Sequence, residues 1–214
     1  MQENSKLSRK DREKMLRRQD ILTAAAQLFS EKGFSNTTLE DIALRSEFGI
    51  GTIYNYFQSK EDIFGSIIDS IFEANMEILD ESDRSTATLI DFLHVYTQKT
   101  FTYFNDHKEA MLVLVSLFTG TGERTVNIKP ELIEQKRCRM DEKILNRIKR
   151  GIESYEIRMI NPDNLNLLYH SILFPYITNL IKQRKLNELN INEHTAFVLD
   201  ILFNGILLNK SVKD

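Results

Sequence analysis

The feature that most constrains the fold is the spacing of apolar residues, which follows the period of an α-helix along almost the whole chain. Ile21, Leu22, Ala25, Leu28 and Phe29, for example, form one apolar face of a helix. Only eight glycines and three prolines interrupt the 214 residues. The alternation of apolar and polar residues that indicates β-strands is scarce. The sequence therefore predicts an all-α fold of about nine helices.

The few breaks in the pattern predict where the helices begin and end. The first helix ends at Gly33, and Thr37 with Glu40 predicts a capping box for the second. A third short helix occupies residues 50–57. The fourth begins near Ser59 and runs towards Leu79, before a polar break at residues 80–85. Further helices are expected near residues 86–105, 107–119, 130–155, 162–185 and 192–209.

Composition indicates a globular protein that works in a reducing compartment. Hydrophobic residues make up 42% of the chain and charged residues 28%, which is typical of soluble domains. No apolar run is long enough to cross a bilayer, and residues 1–18 lack the apolar segment of a secretory signal. A single cysteine, Cys138, leaves no internal disulfide. The cytoplasm is the expected location.

Charge is distributed unevenly along the chain. The net charge is −3, yet residues 1–18 carry seven Lys and Arg against three Asp and Glu. Residues 61–214 carry 18 basic and 23 acidic residues. A basic segment of this kind is either a solvated tail or a contact for an acidic partner such as nucleic acid.

The stretch "GIGTIYNYF", residues 49–57, places two glycines where the pattern predicts a helix. Glycine inside a helix costs about 1 kcal/mol relative to alanine, so a close approach to the backbone is the expected reason. Two short helices joined by a tight turn form a helix-turn-helix, whose second helix can enter the DNA major groove. Ile53 and Phe57 are expected to point inward. The residues expected to face outward are Ile50, Thr52, Tyr54, Asn55 and Tyr56.

Residues 21–64, with "ILTAAAQLFSEKGFSNTTLEDIA" followed by "GIGTIYNYFQSKEDIF", resemble the DNA-binding region of the tetracycline-repressor (TetR) family of bacterial regulators. The shared features include Lys32-Gly33-Phe34, the paired threonines and Gly51-Thr52-Ile53-Tyr54. Ser46-Glu47-Phe48 replaces the family's usual Ala-Gly-Val turn. Glu47 is therefore expected either to adopt a left-handed backbone or to reshape the turn.

The resemblance implies which residues contact DNA. Thr38 and Lys60 would bind phosphates, and Tyr54 and Tyr56 would lie at the edge of the groove. Residues that would face bases are Gly49, Ile50, Thr52 and Asn55, and Thr37 and Gly51 complete the predicted DNA-binding set.

The resemblance also implies two domains. Residues 1–65 would form the helix-turn-helix DNA-binding domain, with residues 1–18 as a charged N-terminal arm. Residues 66–214 would form a larger helical domain for ligand binding and dimerisation. Its predicted pocket residues are Phe92, Tyr96, Phe101, Phe104, Met111, Val115, Phe118 and Phe174. Its predicted homodimer contacts, in a four-helix bundle, are Leu168, Ile172, Tyr176, Phe197, Ile201 and Leu202, although ordinary core packing also accounts for both sets.

Catalytic motifs are missing from the sequence. The four histidines are far apart, and none has a metal-ligand spacing with Cys138 or another histidine. Gly120-x-Gly122 follows no strand, so a phosphate-binding loop is not expected there. The chain is therefore not predicted to be an enzyme, and no cofactor or metal is expected.

Three functions remain compatible with these features. The first is a ligand-responsive transcriptional regulator, most simply a repressor that binds a palindromic DNA operator as a homodimer. Its effector would be a small apolar or amphipathic molecule, because few charges lie among the predicted pocket residues. The second is a DNA-binding protein of the same fold in chromosome organisation or division control. The third is a helical enzyme or binding module without a DNA partner.

Overall fold

The computed structural model describes residues 8–119, 130–183 and 190–205. Within these ranges the chain forms nine α-helices and no strand, which confirms the all-α prediction. The helices are α1 (Arg9–Lys32), α2 (Leu39–Arg45), α3 (Ile50–Tyr56), α4 (Lys60–Ser85), α5 (Leu89–Asp106), α6 (Lys108–Thr119), α7 (Pro130–Glu153), α8 (Pro162–Lys182) and α9 (Ile191–Asn204). None of these described helices is long and apolar enough to span a membrane.

The described residues form two compact units. The first, called the N-terminal unit, comprises residues 8–71 and 109–119. The second, called the C-terminal unit, comprises residues 72–108, 130–183 and 190–205. Helix α4 contributes residues to both. The boundary at residue 65 stays a prediction.

The core of the N-terminal unit joins α1, α2 and α3, with the beginning of α4. Ile21, Ile42 and Ile53 contribute one fully buried side chain from each of the first three helices. The rings of Phe29, Phe34 and Phe64 pack in a cluster with centroids 5.3–5.6 Å apart. Because α2 and α3 have only seven residues each, the packing of α2 against α1 and of α3 against α2, rather than helix propensity, holds them in place.

The predicted capping box at Thr37 and Glu40 is wrong by one residue. Helix α2 begins at Leu39, and the box joins Thr38 to Asp41. The Asp41 amide donates to Thr38 Oγ1 at 3.1 Å, and the Thr38 amide donates to Asp41 Oδ2 at 2.9 Å. The Thr37 side chain points away from α2 instead, and its hydroxyl donates to the Gly33 carbonyl, 2.8 Å away at the end of α1.

The predicted break at residues 80–85 is also wrong, because α4 continues through Ser85. The acidic side chains of this stretch are not solvated loop residues. Asp80 pairs with Lys143 of α7, and Asp83 pairs with Arg150 of α7 at 2.7 Å. Ion pairs with a neighbouring helix therefore stabilise helical structure in a polar stretch where hydropathy alone predicts that the helix ends.

In the C-terminal unit, α5 packs against α9 and α7 packs against α8. The predicted helix 162–185 ends earlier, at Lys182, and the helix near 192–209 ends at Asn204. Gly205 follows with a φ of 68°, a conformation that glycine adopts easily and that commonly terminates helices. Residues 206–209 lie outside the described residues.

Gly151 allows α7 to pack closely against Leu89 at the start of α5. A Cβ at this position would lie 2.7 Å from Leu89 Cδ2 and 2.8 Å from Leu89 Cβ. Gly151→Ala is therefore expected to lower the free energy of unfolding by about 1–3 kcal/mol in urea denaturation. Gly65→Ala is the control, since a Cβ there has no neighbour within 4 Å and alanine favours the helix. Equal destabilisation of both variants would contradict the contact.

Candidate nucleic-acid interface

Ion pairs between α1 and α2 fix the first helix of the turn motif. Arg45 donates to both carboxylate oxygens of Glu31, at 3.0 and 2.9 Å. Lys32 Nζ lies 2.7 Å from Asp41 Oδ2. The Lys32 ammonium, followed by the hydrogen bonds from Thr38, lowers the pKa of Asp41 to about 2. The capping carboxylate therefore stays ionised at neutral pH, and α2 keeps a fixed N-terminus.

The turn between α2 and α3 depends on a left-handed residue. Glu47 has a φ of 59°, which is the first of the two alternatives expected for a side chain in place of glycine. The turn closes through the Phe48 amide, which donates to the Ala43 carbonyl at 2.9 Å. A left-handed backbone costs a non-glycine residue about 1–2 kcal/mol. The turn between α2 and α3 therefore keeps its left-handed residue despite this cost in free energy, and this conformation fixes the direction in which α3 begins.

Helix α3 has one buried side and one exposed side. Ile53 is fully buried and Phe57 is 2% exposed, so both point inward as predicted. Tyr54 is 57% exposed and Ile50 37% exposed. Asn55 is exposed too, whereas Thr52 and Tyr56 are half-buried. The side chains predicted to reach DNA thus occupy the free side of the helix, and their contact with DNA stays a prediction.

Nothing within the described fold requires glycine at positions 49 and 51. Neither residue has a positive φ, and a Cβ added at either would have no neighbour within 4 Å. Position 33, in contrast, does require glycine, because the residue that follows α1 has a φ of 83°, a conformation that residues with a side chain rarely adopt. Both Gly49, the N-cap of α3, and Gly51 are exposed, and Gly51 lies one turn before Tyr54 on the same side of the helix. The clearance that they leave is therefore available to a molecule outside the chain.

Two residues of the predicted DNA-binding set have structural contacts. Thr37 is 1% exposed and its hydroxyl donates to the Gly33 carbonyl, so its side chain has a structural contact, and its contact with DNA stays a prediction. Lys60 Nζ donates to the Phe34 and Thr37 carbonyls at 2.7 Å each and lies 4.3 Å from the centroid of the Phe34 ring. Two of the three N–H groups of the ammonium are thus used within the fold. Thr38 is exposed at the start of α2.

Arg18 is a residue of this surface that sequence reasoning missed. Its guanidinium lies 5.1 Å from the centroid of the Phe57 ring, the residue that ends α3, and donates to Ser66 Oγ at 3.0 Å. Helical spacing could have identified Arg18 as a residue near this surface, because it lies one helical turn before the apolar face of α1. A basic side chain is therefore held beside the end of α3.

The predicted pocket residues lie in well-packed positions. Phe92, Tyr96, Phe101 and Phe104 are at most 1% exposed in the C-terminal unit, where Phe174 is half-buried. Met111 and Val115 are buried in the N-terminal unit, and the side chain of Phe118 lies outside the described residues. A cavity of about 170 Å³ in the C-terminal unit is lined by Phe92. The rest of its lining is Leu79, Asp80, Asp83, Lys143, Asn146 and Arg150.

The predicted dimer residues lie on α8 and α9 of the C-terminal unit. Leu168 is 50% exposed and Phe197 is 51% exposed. Ile172, Ile201 and Leu202 are half-buried. Tyr176 is half-buried as well, and its hydroxyl lies 2.7 Å from His194 Nδ1. The two helices therefore expose large apolar side chains that their own unit does not cover.

The sequence has relatives among known regulators. Residues 21–67 match the family described as "Bacterial regulatory proteins, tetR family". The chain is 24% identical to the uncharacterized HTH-type transcriptional regulator YhgD of Bacillus subtilis, over 69% of this chain and 75% of that protein. It is 26% identical to IcaR of Staphylococcus aureus, the negative transcriptional regulator of the biofilm operon icaADBC, over 69% and 76% of the two chains.

Solved structures share the fold over most of the chain. The transcriptional regulator FadR of Bacillus subtilis, crystallised in complex with stearoyl-CoA, superposes with a TM-score of 0.69. The match covers 88% of this chain and 99% of that chain, at 23% identity. The match to FadR extends the structural likeness well beyond residues 21–67.

Proposed function

We propose that this TetR-family chain, whose residues 21–67 match the family's model, is a transcriptional repressor that binds a palindromic operator as a homodimer. A small apolar or amphipathic molecule would release it from the operator. DNA as the target makes the cytoplasm its site of action. IcaR, a negative regulator, supports the repressor assignment.

The observation that carries the DNA-binding proposal is the pair of exposed glycines at the start of α3, Gly49 at its N-cap and Gly51 in its first turn. Their backbone conformation and surroundings accept a side chain, so the fold does not explain them. Tyr54 and Asn55 on the exposed side of α3 offer a hydroxyl and an amide. Such groups bind phosphate oxygens and base edges, and Asn can read adenine through two hydrogen bonds. A backbone that must approach DNA closely accounts for glycine at both positions.

Gly51→Ala tests this proposal because folding and binding should change in opposite directions. Alanine is favoured in a helix by about 1 kcal/mol, and no atom lies within 4 Å of its Cβ, so thermal stability should rise. Operator affinity, measured by fluorescence anisotropy, should fall at least about tenfold, equivalent to 1.4 kcal/mol. Gly65→Ala is the matched control and should raise stability without changing affinity.

Two outcomes would contradict the proposal. Operator affinity equal to that for random DNA in the wild-type chain would remove the specific reading of DNA. Unchanged affinity in Gly51→Ala would show that no partner approaches the backbone there. The operator itself can be obtained by selecting bound fragments from genomic DNA, and promoter fragments should dominate if the protein regulates transcription.

The effector is proposed to bind in the C-terminal unit. Phe92, Phe101 and Phe104 supply an apolar interior, which suits an apolar or amphipathic molecule. The charged residues around the cavity beside Phe92 are already paired, as Asp80 with Lys143 and Asp83 with Arg150. FadR with its stearoyl-CoA supports an amphipathic ligand of this kind. An effector can shift DNA binding only by its different affinities for the free and DNA-bound states.

A further inference from the structure

The first turns of α1 have no packing partner within the described residues. Helix α1 runs without a break from Arg9 to Lys32, but its buried residues begin only at Ile21. Every residue from 8 to 20 is exposed. More than three helical turns therefore extend beyond the core of the N-terminal unit, although an isolated helix of this length is marginal in water.

The core-facing side of α1 becomes basic where the core ends. Lys10, Lys14 and Arg17 precede Ile21 at spacings of four, three and four residues. Residues at such spacings lie on one side of a helix, so these three cations continue the face that Ile21 buries. We call Lys10, Lys14 and Arg17 the basic stripe. A core-facing position that carries a cation instead of an apolar residue favours an anionic neighbour.

The cations of the basic stripe are not neutralised within the described part of the chain, where no ion pair to them is formed. Two carboxylates on the same turns of α1 have other partners. Glu13 accepts a hydrogen bond from Arg9 at 3.0 Å, and Asp11 accepts one from the Ser8 hydroxyl at 2.7 Å. The stripe thus presents three cations to its surroundings.

The basic stripe ends, at Arg17, one residue before a side chain that contacts the end of the proposed DNA-reading helix. Arg18, the residue after the stripe, lies over the ring of Phe57 at the end of α3 and bonds to Ser66 of α4. These contacts hold the base of the extension against both helices. An anionic polymer bound along α3 would therefore pass close to the stripe.

We propose that the basic stripe binds the phosphate backbone of DNA outside the segment that α3 reads, extending the contact of each protomer. This inference rests on the proposed DNA-binding function. The stripe would carry no sequence information, because lysine and arginine on phosphates fix position and strengthen binding without distinguishing bases. Each phosphate that it neutralises releases counterions and steepens the salt dependence of binding.

The test compares the salt dependence of operator binding in three proteins. The first is the wild-type chain, and the second carries Lys10→Gln, Lys14→Gln and Arg17→Gln. The third, a control with the same change in net charge, carries Arg139→Gln, Lys149→Gln and Arg158→Gln, three exposed residues of the C-terminal unit. Glutamine keeps the helix propensity of lysine and arginine, so circular dichroism should be unchanged in both variants.

The stripe variant should flatten the slope of log affinity against log salt by about 0.9 for each phosphate that the protein no longer neutralises. Three phosphates for each of two protomers set the upper limit, so we expect a change of about 2–5. The control should keep the wild-type slope, and the stripe variant should keep the wild-type preference for operator over random DNA. A charge-preserving variant with Lys10→Arg, Lys14→Arg and Arg17→Lys should have the same slope as the wild-type chain. Hydroxyl-radical footprints of the stripe variant should show weaker protection at the outer edges of the operator.

The failure of this inference differs from the failure of the proposed function. A wild-type chain that shows no preference for any DNA sequence would overturn the proposed function. A wild-type chain that binds its operator, with an equal slope in the stripe variant, would overturn the inference alone. An equal change in the stripe and control variants would also overturn it, because net charge rather than the stripe would then be responsible.

Discussion

Lys60→Met is expected to lower the free energy of unfolding of the N-terminal unit by about 2–3 kcal/mol and to weaken operator binding with it. The Lys60 ammonium donates to the Phe34 and Thr37 carbonyls and lies over the Phe34 ring. Hydrogen bonds to a charged group are worth about 1.5–3 kcal/mol each, and the partly buried carbonyls would lose their donor. Methionine keeps the length of the side chain, so the decrease in stability reports the ammonium.

Lys32→Met is the control for Lys60. Lys32 at the end of α1 also holds the N-terminal unit together, but its ion pair with Asp41 of α2 is about one-third exposed on both sides. Such surface pairs contribute about 0–1 kcal/mol. Urea unfolding should therefore separate the two variants clearly. Full stability of Lys60→Met, with an equal decrease in affinity for all DNA sequences, would instead assign Lys60 to a phosphate, as the family resemblance implies.

A carboxylate on the exposed apolar side of α8 or α9 is expected to convert the proposed dimer into monomers. Leu168→Glu and Phe197→Glu are suitable because both residues are about half exposed in the single chain, so neither variant should unfold it. In a dimer the new carboxylate would be buried without a partner, which costs several kcal/mol. Operator affinity should fall as well, because a palindrome read one helical turn apart requires two linked subunits.

Leu132→Glu is the control for the dimer experiment. Leu132 of α7 is 50% exposed, the same as Leu168, and lies outside the two helices proposed to pair. Sedimentation equilibrium should show a dimer for the wild-type chain and Leu132→Glu, and monomers for the other two variants. Dimers in both Leu168→Glu and Phe197→Glu would place the subunit contact elsewhere.

Helix positions were predictable from the sequence because apolar periodicity is a local signal. Helix ends were less so, because they depend on contacts that are remote in sequence. The stretch from Asp80 to Ser85 is polar in isolation, yet it is helical because Asp80 and Asp83 meet cations of α7. Thr37 has the residue type of a helix cap, but its hydroxyl bonds to Gly33 while Thr38 caps α2. Neither partner could be identified from spacing alone.

The exposed side of α3 was predictable because Ile53 and Phe57 define its opposite side. The roles of individual side chains were not. A lysine at position 60 has the same appearance in sequence whether its ammonium binds a phosphate or two backbone carbonyls. The aromatic residues of the C-terminal unit show a similar limit, since Phe92 and Phe101 have the same helical spacing in a core as in a pocket.

The burial of two tyrosines has a consequence for spectroscopy. The chain contains seven tyrosines and no tryptophan, so tyrosine alone supplies its intrinsic fluorescence. Burial raises the pKa of both Tyr96 and Tyr169, and the Tyr169 hydroxyl lies 2.8 Å from Thr97 Oγ1. Tyr54, on the free side of α3, remains open to solvent. The same chromophore therefore reports on the C-terminal interior through Tyr96 and Tyr169 and on the free side of α3, the proposed DNA-reading surface, through Tyr54, without any introduced label.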